Sequence, residues 1–90
     1  MRTLVWSAAF VRAVMRATRR QPDLRVSVEH TLQQLAEDPF HPTLPTHRLK
    51  GELAGAWACT VDYDDRILFE FAQNPSSGEE EIFPFDQGHS

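Results

Sequence analysis

"LKGELAGAWACTVDYDDRILFEF", residues Leu49 to Phe71, decides the fold. Its second half alternates with a period of two. Trp57, Cys59, Val61 and Tyr63 share one face, and Ala58, Thr60 and Asp62 share the other. Beyond Asp64-Asp65 the pattern resumes, with Ile67, Phe69 and Phe71 on one side and Arg66, Leu68 and Glu70 on the other. Such alternation marks half-buried strands, because successive side chains of a strand point to opposite faces. Asp64-Asp65 is read as the hairpin turn between them. Gly51 and Gly55 are read as backbone devices, a bulge or turn where the chain comes into the sheet. His47, Arg48 and Lys50 precede the stretch and Arg66 lies within it, more polar groups than packing alone requires.

Upstream, "RTLVW" (Arg2–Trp6) is a short β-prone run that ends at Ser7, a good helix N-cap. From Ala8 to about Arg20 the period turns helical: Phe10, Val11, Val14 and Met15 form an apolar stripe, and Arg12, Arg16, Arg19 and Arg20 repeat on the opposite face. Gln21-Pro22-Asp23 breaks the chain. A second helix runs from about Asp23 or Ser27 to Glu37, with Val28, Leu32, Leu35 and Ala36 as its stripe. Asp38-Pro39 ends it, and "PFHPTLP", with three prolines in seven residues, is a rigid loop. Downstream, "NPSSGEEE" is a loop and "EEIFPF" a last strand. Pro84 cannot donate to a ladder, which predicts an edge strand or a truncated one. The order is β-α-α-β-β-β: an α+β fold with a helical hairpin packed on one face of a mainly antiparallel sheet.

A chain of 90 residues fits one domain, 1–90, with a thin core. Its 41% hydrophobic and 24% charged residues are ordinary for a soluble globular protein. The lone Cys59 excludes an internal disulfide and a multi-cysteine zinc site, and suits a reducing cytoplasm. No stretch approaches the ~20 apolar residues of a membrane span. Arg12, Arg16, Arg19 and Arg20 interrupt the N-terminal apolar run too early for an export signal. The net charge of −4 argues against bulk electrostatic binding of nucleic acid, but it averages two unlike halves. Residues 1–50 carry eight bases against four acids (+4), and residues 51–90 one base against nine acids (−8).

No phosphate-binding loop, nucleophile elbow or dinucleotide fingerprint is present, and His30, His41, His47 and His89 form no metal-ligand pattern. The arginines of the first helix read equally as a solvated helix face or as a phosphate-contacting stripe. Trp57 reads as core rather than as a base-stacking platform, since it shares a face with Val61 and Tyr63. The set His47, Arg48, Lys50, Asp64 and Arg66 has the composition that phosphodiester cleavage needs: a base for a ribose 2′-OH, cations for the phosphorane charge and an acid for the leaving oxygen. Charges decorating a solvent-facing strand would have the same composition.

The spacing Leu49-Lys50-Gly51, Gly55-Ala56-Trp57 and Arg66-Ile67-Leu68-Phe69, preceded by "LAEDPFHPTLPTHRLKG", resembles the core of the RelE/ParE superfamily of type II toxins, in particular the RelE/YoeB/YafQ-like mRNA interferases, over roughly residues 3–72. The resemblance implies a ribosome-dependent endoribonuclease that cleaves mRNA by 2′-OH attack without metal or other cofactor. It also implies a cognate antitoxin as partner in a hetero-oligomeric complex, with no role for a membrane. His47 falls where the YafQ branch has a catalytic histidine and the YoeB branch a glutamate base. Asp64 coincides with a YafQ-branch aspartate, Arg66 with the arginine that helps hold the scissile phosphate, and His89 with a C-terminal histidine acting as general acid. Arg48, Lys50, Arg12 and Arg16 are the candidate RNA and phosphate contacts, by their position and charge alone. The paired lysines of RelE fall on Ala58 and Thr60, so a RelE-type base is absent. The ending "FPFDQGHS" departs from the family's terminal histidine-tyrosine segment. That departure supports one alternative, a degenerate RelE-fold protein that only binds its antitoxin; a ParE-like topoisomerase inhibitor, which needs no acid–base pair, is the other.

Overall fold

The computed structural model describes residues 2–62 and 65–89, the side chain of His89 excepted. The first helix, α1 (Ala8–Arg20), begins where the sequence places it: the Ser7 hydroxyl accepts the Phe10 amide at 3.0 Å, satisfying an N–H that the helix cannot. Arg19 and Arg20 occupy its last turn, where the helix dipole favours cations. The second helix, α2 (Leu24–Glu37), follows after the turn at Gln21–Asp23, in which the Leu24 amide donates to the Gln21 carbonyl.

Five strands form one sheet: β1 (Thr3–Leu4), β2 (Thr46–Arg48), β3 (Trp57–Thr60), β4 (Asp65–Gln73) and β5 (Glu80–His89). Their order across the sheet is β1-β5-β4-β3-β2, with β1 parallel to β5 and every other pair antiparallel. The α+β arrangement expected from periodicity is therefore present, with one strand more. Thr46–Arg48, expected to lead into the Trp57 strand, is an edge strand of its own, turned back by a 3-10 turn at Gly51–Leu53. Both glycines of that connection have positive φ (+74° at Gly51 and +97° at Gly55), which a residue with a Cβ adopts only under strain.

Both helices lie on one face of the sheet. Phe10 from α1 and Leu24, Val28, Leu32 and Leu35 from α2 meet Cys59, Ile67, Phe69 and Ile82 in one buried cluster. α1 contributes Phe10, Ala13 and Ala17 to the interior, small residues that bring its backbone close to the strands. The predicted α1 stripe is divided as a result: Phe10 is buried and Val14 packs partly against the core, while Val11 and Met15 stay exposed. The apolar arc is wider than the surface the sheet offers it.

Two expectations about the strands are corrected. Asp65 is not a turn residue; it is the buried first residue of β4, and its Oδ1 accepts a hydrogen bond from Gln87 Nε2 at 3.1 Å. The other half of the expected turn, Asp64, lies outside the described residues. Nor is the last strand cut short by Pro84: β5 runs for ten residues. The Ile82 carbonyl accepts from Val5 on the β1 side, so the backbone of Pro84, two residues on, faces the same way. β1 has ended there, and the missing N–H breaks no ladder bond. A bulge follows at once. Phe69 pairs with Pro84 but its neighbour Leu68 pairs with Asp86, leaving Phe85 as the extra residue.

Candidate functional site

Ladder register sorts the polar residues by face. Cys59, Ile67 and Phe69 look toward the helices, so their neighbours along each strand look away. His47 pairs with Ala58, Ala58 with Leu68, and Leu68 with Asp86, a row running across four strands on the helix-free face. Ala58 and Leu68 are buried and form its apolar floor, while His47 and Asp86 at the two ends are exposed. One pleat further along lies the row Thr60, Arg66 and Gly88. His47 and Arg66 thus share a face, two strand spacings and one pleat apart, with Cα atoms separated by roughly 12 Å. Both side chains are long enough for a phosphodiester lying between them to meet an imidazole on one side and a guanidinium on the other.

The remaining predicted residues divide. Lys50 is exposed at the start of the 3-10 turn after β2. Arg48, one residue from His47, faces the helix side, where its guanidinium carbon lies 5.1 Å from the ring centroid of Trp57. Trp57 itself is half-buried, edge-on to Phe40 and Phe71 at 5.3 and 5.8 Å between centroids, and packs against the core as its periodicity implied. The backbone of His89 pairs with Asp65, one step past the Arg66–Gly88 pair, and its side chain lies outside the described residues, as does all of Asp64. Arg12 and Arg16 are exposed on α1, across the sheet from His47.

Asp86 is the residue that sequence reasoning missed. Strict alternation from Ile82 would put it on the helix side; the bulge at Phe85 reverses the parity, sending Asp86 to the outer face and Gln87 inward to Asp65. Only Pro84, as a disruptor of regular pairing, hinted at this. Cys59 is fully buried beneath the helices, and burial pushes its thiol up from the ordinary range, so it is an inert packing residue.

Two helices against one face of a five-stranded, mostly antiparallel sheet match the RelE-like fold. No protein-family model and no curated protein matches the sequence. The likeness is structural. A YoeB/ParE toxin from Agrobacterium tumefaciens superposes with a TM-score of 0.76 at 18% identity, covering 98% of each chain. YafQ from E. coli gives 0.77 at 16% identity, covering 100% of this chain and 94% of that one. The RelBE2 toxin–antitoxin complex from Mycobacterium tuberculosis gives 0.69 at 18% identity, covering 99% and 98%. The fold expected from the resemblance is thus the fold that these solved structures share with this chain.

Proposed function

We propose that this chain is the toxin of a type II toxin–antitoxin system and a metal-independent endoribonuclease that cleaves mRNA on the ribosome. The observation that carries the reading is the shared face of His47 and Arg66 in a fold of this group. In the reaction, His47 takes the proton from a ribose 2′-OH, which attacks the adjacent phosphorus. Arg66 neutralises the charge that develops on the equatorial phosphoryl oxygens. The 5′-oxygen leaves with a proton, for which His89, just beyond the ladder partner of Arg66, is the candidate donor. Asp64 and Lys50 are candidate supporting groups by the same resemblance. Arg48 is better read as bracing Trp57 than as an RNA contact. A cognate antitoxin is the expected partner: the RelBE2 neighbour is itself a toxin–antitoxin complex, and this chain leaves Trp6, Val11, Met15 and Phe40 substantially exposed.

Inducible expression in a bacterial host, with growth followed and transcript ends mapped, tests the reading. Growth arrest with new cuts in translated codons, lost in His47→Ala and in Arg66→Ala, is the expected result. Arrest without cuts would favour topoisomerase inhibition. No arrest from soluble, folded protein would leave a fold that binds an antitoxin and no longer cleaves.

A further inference from the structure

The four arginines of α1 are equivalent in the sequence, and the fold separates them. Arg19 turns toward α2 and lines an apolar groove with Trp6, Val14, Met15 and Val28. Arg16 and Arg20, one helical turn apart, overhang the end of β5 and enclose a hollow of about 220 Å³ with Ala13, Ala17, Gln87 and Gly88. Neither pairs with a carboxylate among the described residues, whereas Arg2 and Arg25 are held by Glu80 and Glu29. Among the described residues no acidic side chain lines this hollow, although Arg20 also borders a neighbouring one with Asp65. Asp65, nearest beneath, is buried and engaged by Gln87. Arg20 also borders the hollow at the α1–α2 turn, where Asp23 and Asp62 disfavour an anion, so a phosphate is directed to the side shared with Arg16. Arg12 continues the stripe the other way, about 6 Å of helix rise per step, comparable to the spacing of successive phosphates in an extended single strand.

Gly88 joins this hollow to the candidate site. It lines the hollow and is also the ladder partner of Arg66. β1 reaches only Ile82, so among the described residues no strand lies outside β5 at Gly88. A Cβ placed on Gly88 would meet no described atom within 4 Å, leaving room at that point of the strand.

We propose that Arg16 and Arg20 form a phosphate-binding subsite for the RNA backbone that flanks the nucleotide held at Arg66, with the strand rounding the sheet edge at Gly88 and running on toward Arg12. The subsite rests on the nuclease reading for the role of Arg66, but its binding test stands apart from cleavage. The probe is a fluorescein-labelled single-stranded RNA of about a dozen nucleotides, its affinity measured by anisotropy over a range of salt concentrations. The expected result for Arg16→Gln with Arg20→Gln is at least tenfold weaker binding at low salt. The slope of log K against log salt should fall by about 1.4, since each phosphate contact on a single strand contributes about 0.7. Arg19→Gln, which changes charge equally per residue on the same helix, should leave the slope within about 0.3 of wild type. An unchanged slope in the double variant, an Arg19→Gln effect as large per residue, or no RNA binding by the wild type would each overturn the subsite. RNA binding that follows this pattern in a protein that never cleaves would keep the subsite and discard the nuclease.

Discussion

The two faces of the sheet are built from the same strands and have opposite chemistry. On the helix side, Cys59, Ile67, Phe69 and Ile82 are buried completely beneath α1 and α2. On the other side, among the described residues of the strands, only Ala58 and Leu68 are buried, and His47, Arg66 and Asp86 surround them. The first face holds the fold together and has no freedom to carry chemistry, because a charge placed there would be desolvated without compensation. The second tolerates polar groups because no helix covers it. The residues that hold the fold together and the candidate site residues therefore lie on opposite faces of one sheet.

That separation can be broken experimentally. The largest expected effect is on the outer face: His47→Ala together with Arg66→Ala should lower RNA cleavage by a factor of about 10³ or more, read by primer extension or a ribosome-programmed cleavage assay. The same pair should change unfolding free energy by less than about 1 kcal/mol, because both positions project from the exposed face. Phe69→Ala is the mirror image. It should cost about 3–5 kcal/mol in denaturant unfolding through lost burial and a residual cavity, enough to unfold much of the population. A Phe69→Ala protein of near wild-type stability would show that the core is not where the buried cluster lies.

Smaller effects sharpen the contrast. Gly55→Ala should destabilise by about 1–2 kcal/mol, since its φ of +97° is unfavourable for any residue with a Cβ, although no neighbour obstructs one. Ser7→Ala should remove about 1 kcal/mol, lowering the melting temperature by about 4–8 °C, through loss of the bond to the Phe10 amide. Gln87→Leu should cost about 1 kcal/mol by breaking the buried bond to Asp65. None of these three should abolish cleavage in protein that remains folded. If Gln87→Leu does, the bulge and the inward turn of Gln87 are part of the active geometry.

How much was legible in advance differs by element. α1, its cap and its end at Arg20 followed from Ser7 and the 3.6-residue period, because helix boundaries are set by local hydrogen bonding. β4 followed from the alternation of Arg66 to Phe71 for the same local reason. The candidate site was only half legible. His47 and Arg66 could be named, but three residues of β2 are too short a pattern to read as a strand, so their common face could not. Arg48 looked equivalent to His47 and faces the other way, since one residue along a strand reverses the side chain.

The sequence by itself determined the α+β class, the helix that begins at Ser7, the alternating strands from Trp57 to Phe71 and the glycine turn that precedes them, because each is a short-range consequence of side-chain period and backbone freedom. Only the tertiary structure decided which polar residues meet. Strand order, the register of β2 on β3 and the bulge at Phe85 set those neighbours, and they depend on contacts between residues distant in the chain. That is why Asp86 and Gly88 joined the outer face unannounced, and why four like arginines on one helix came to have different surroundings.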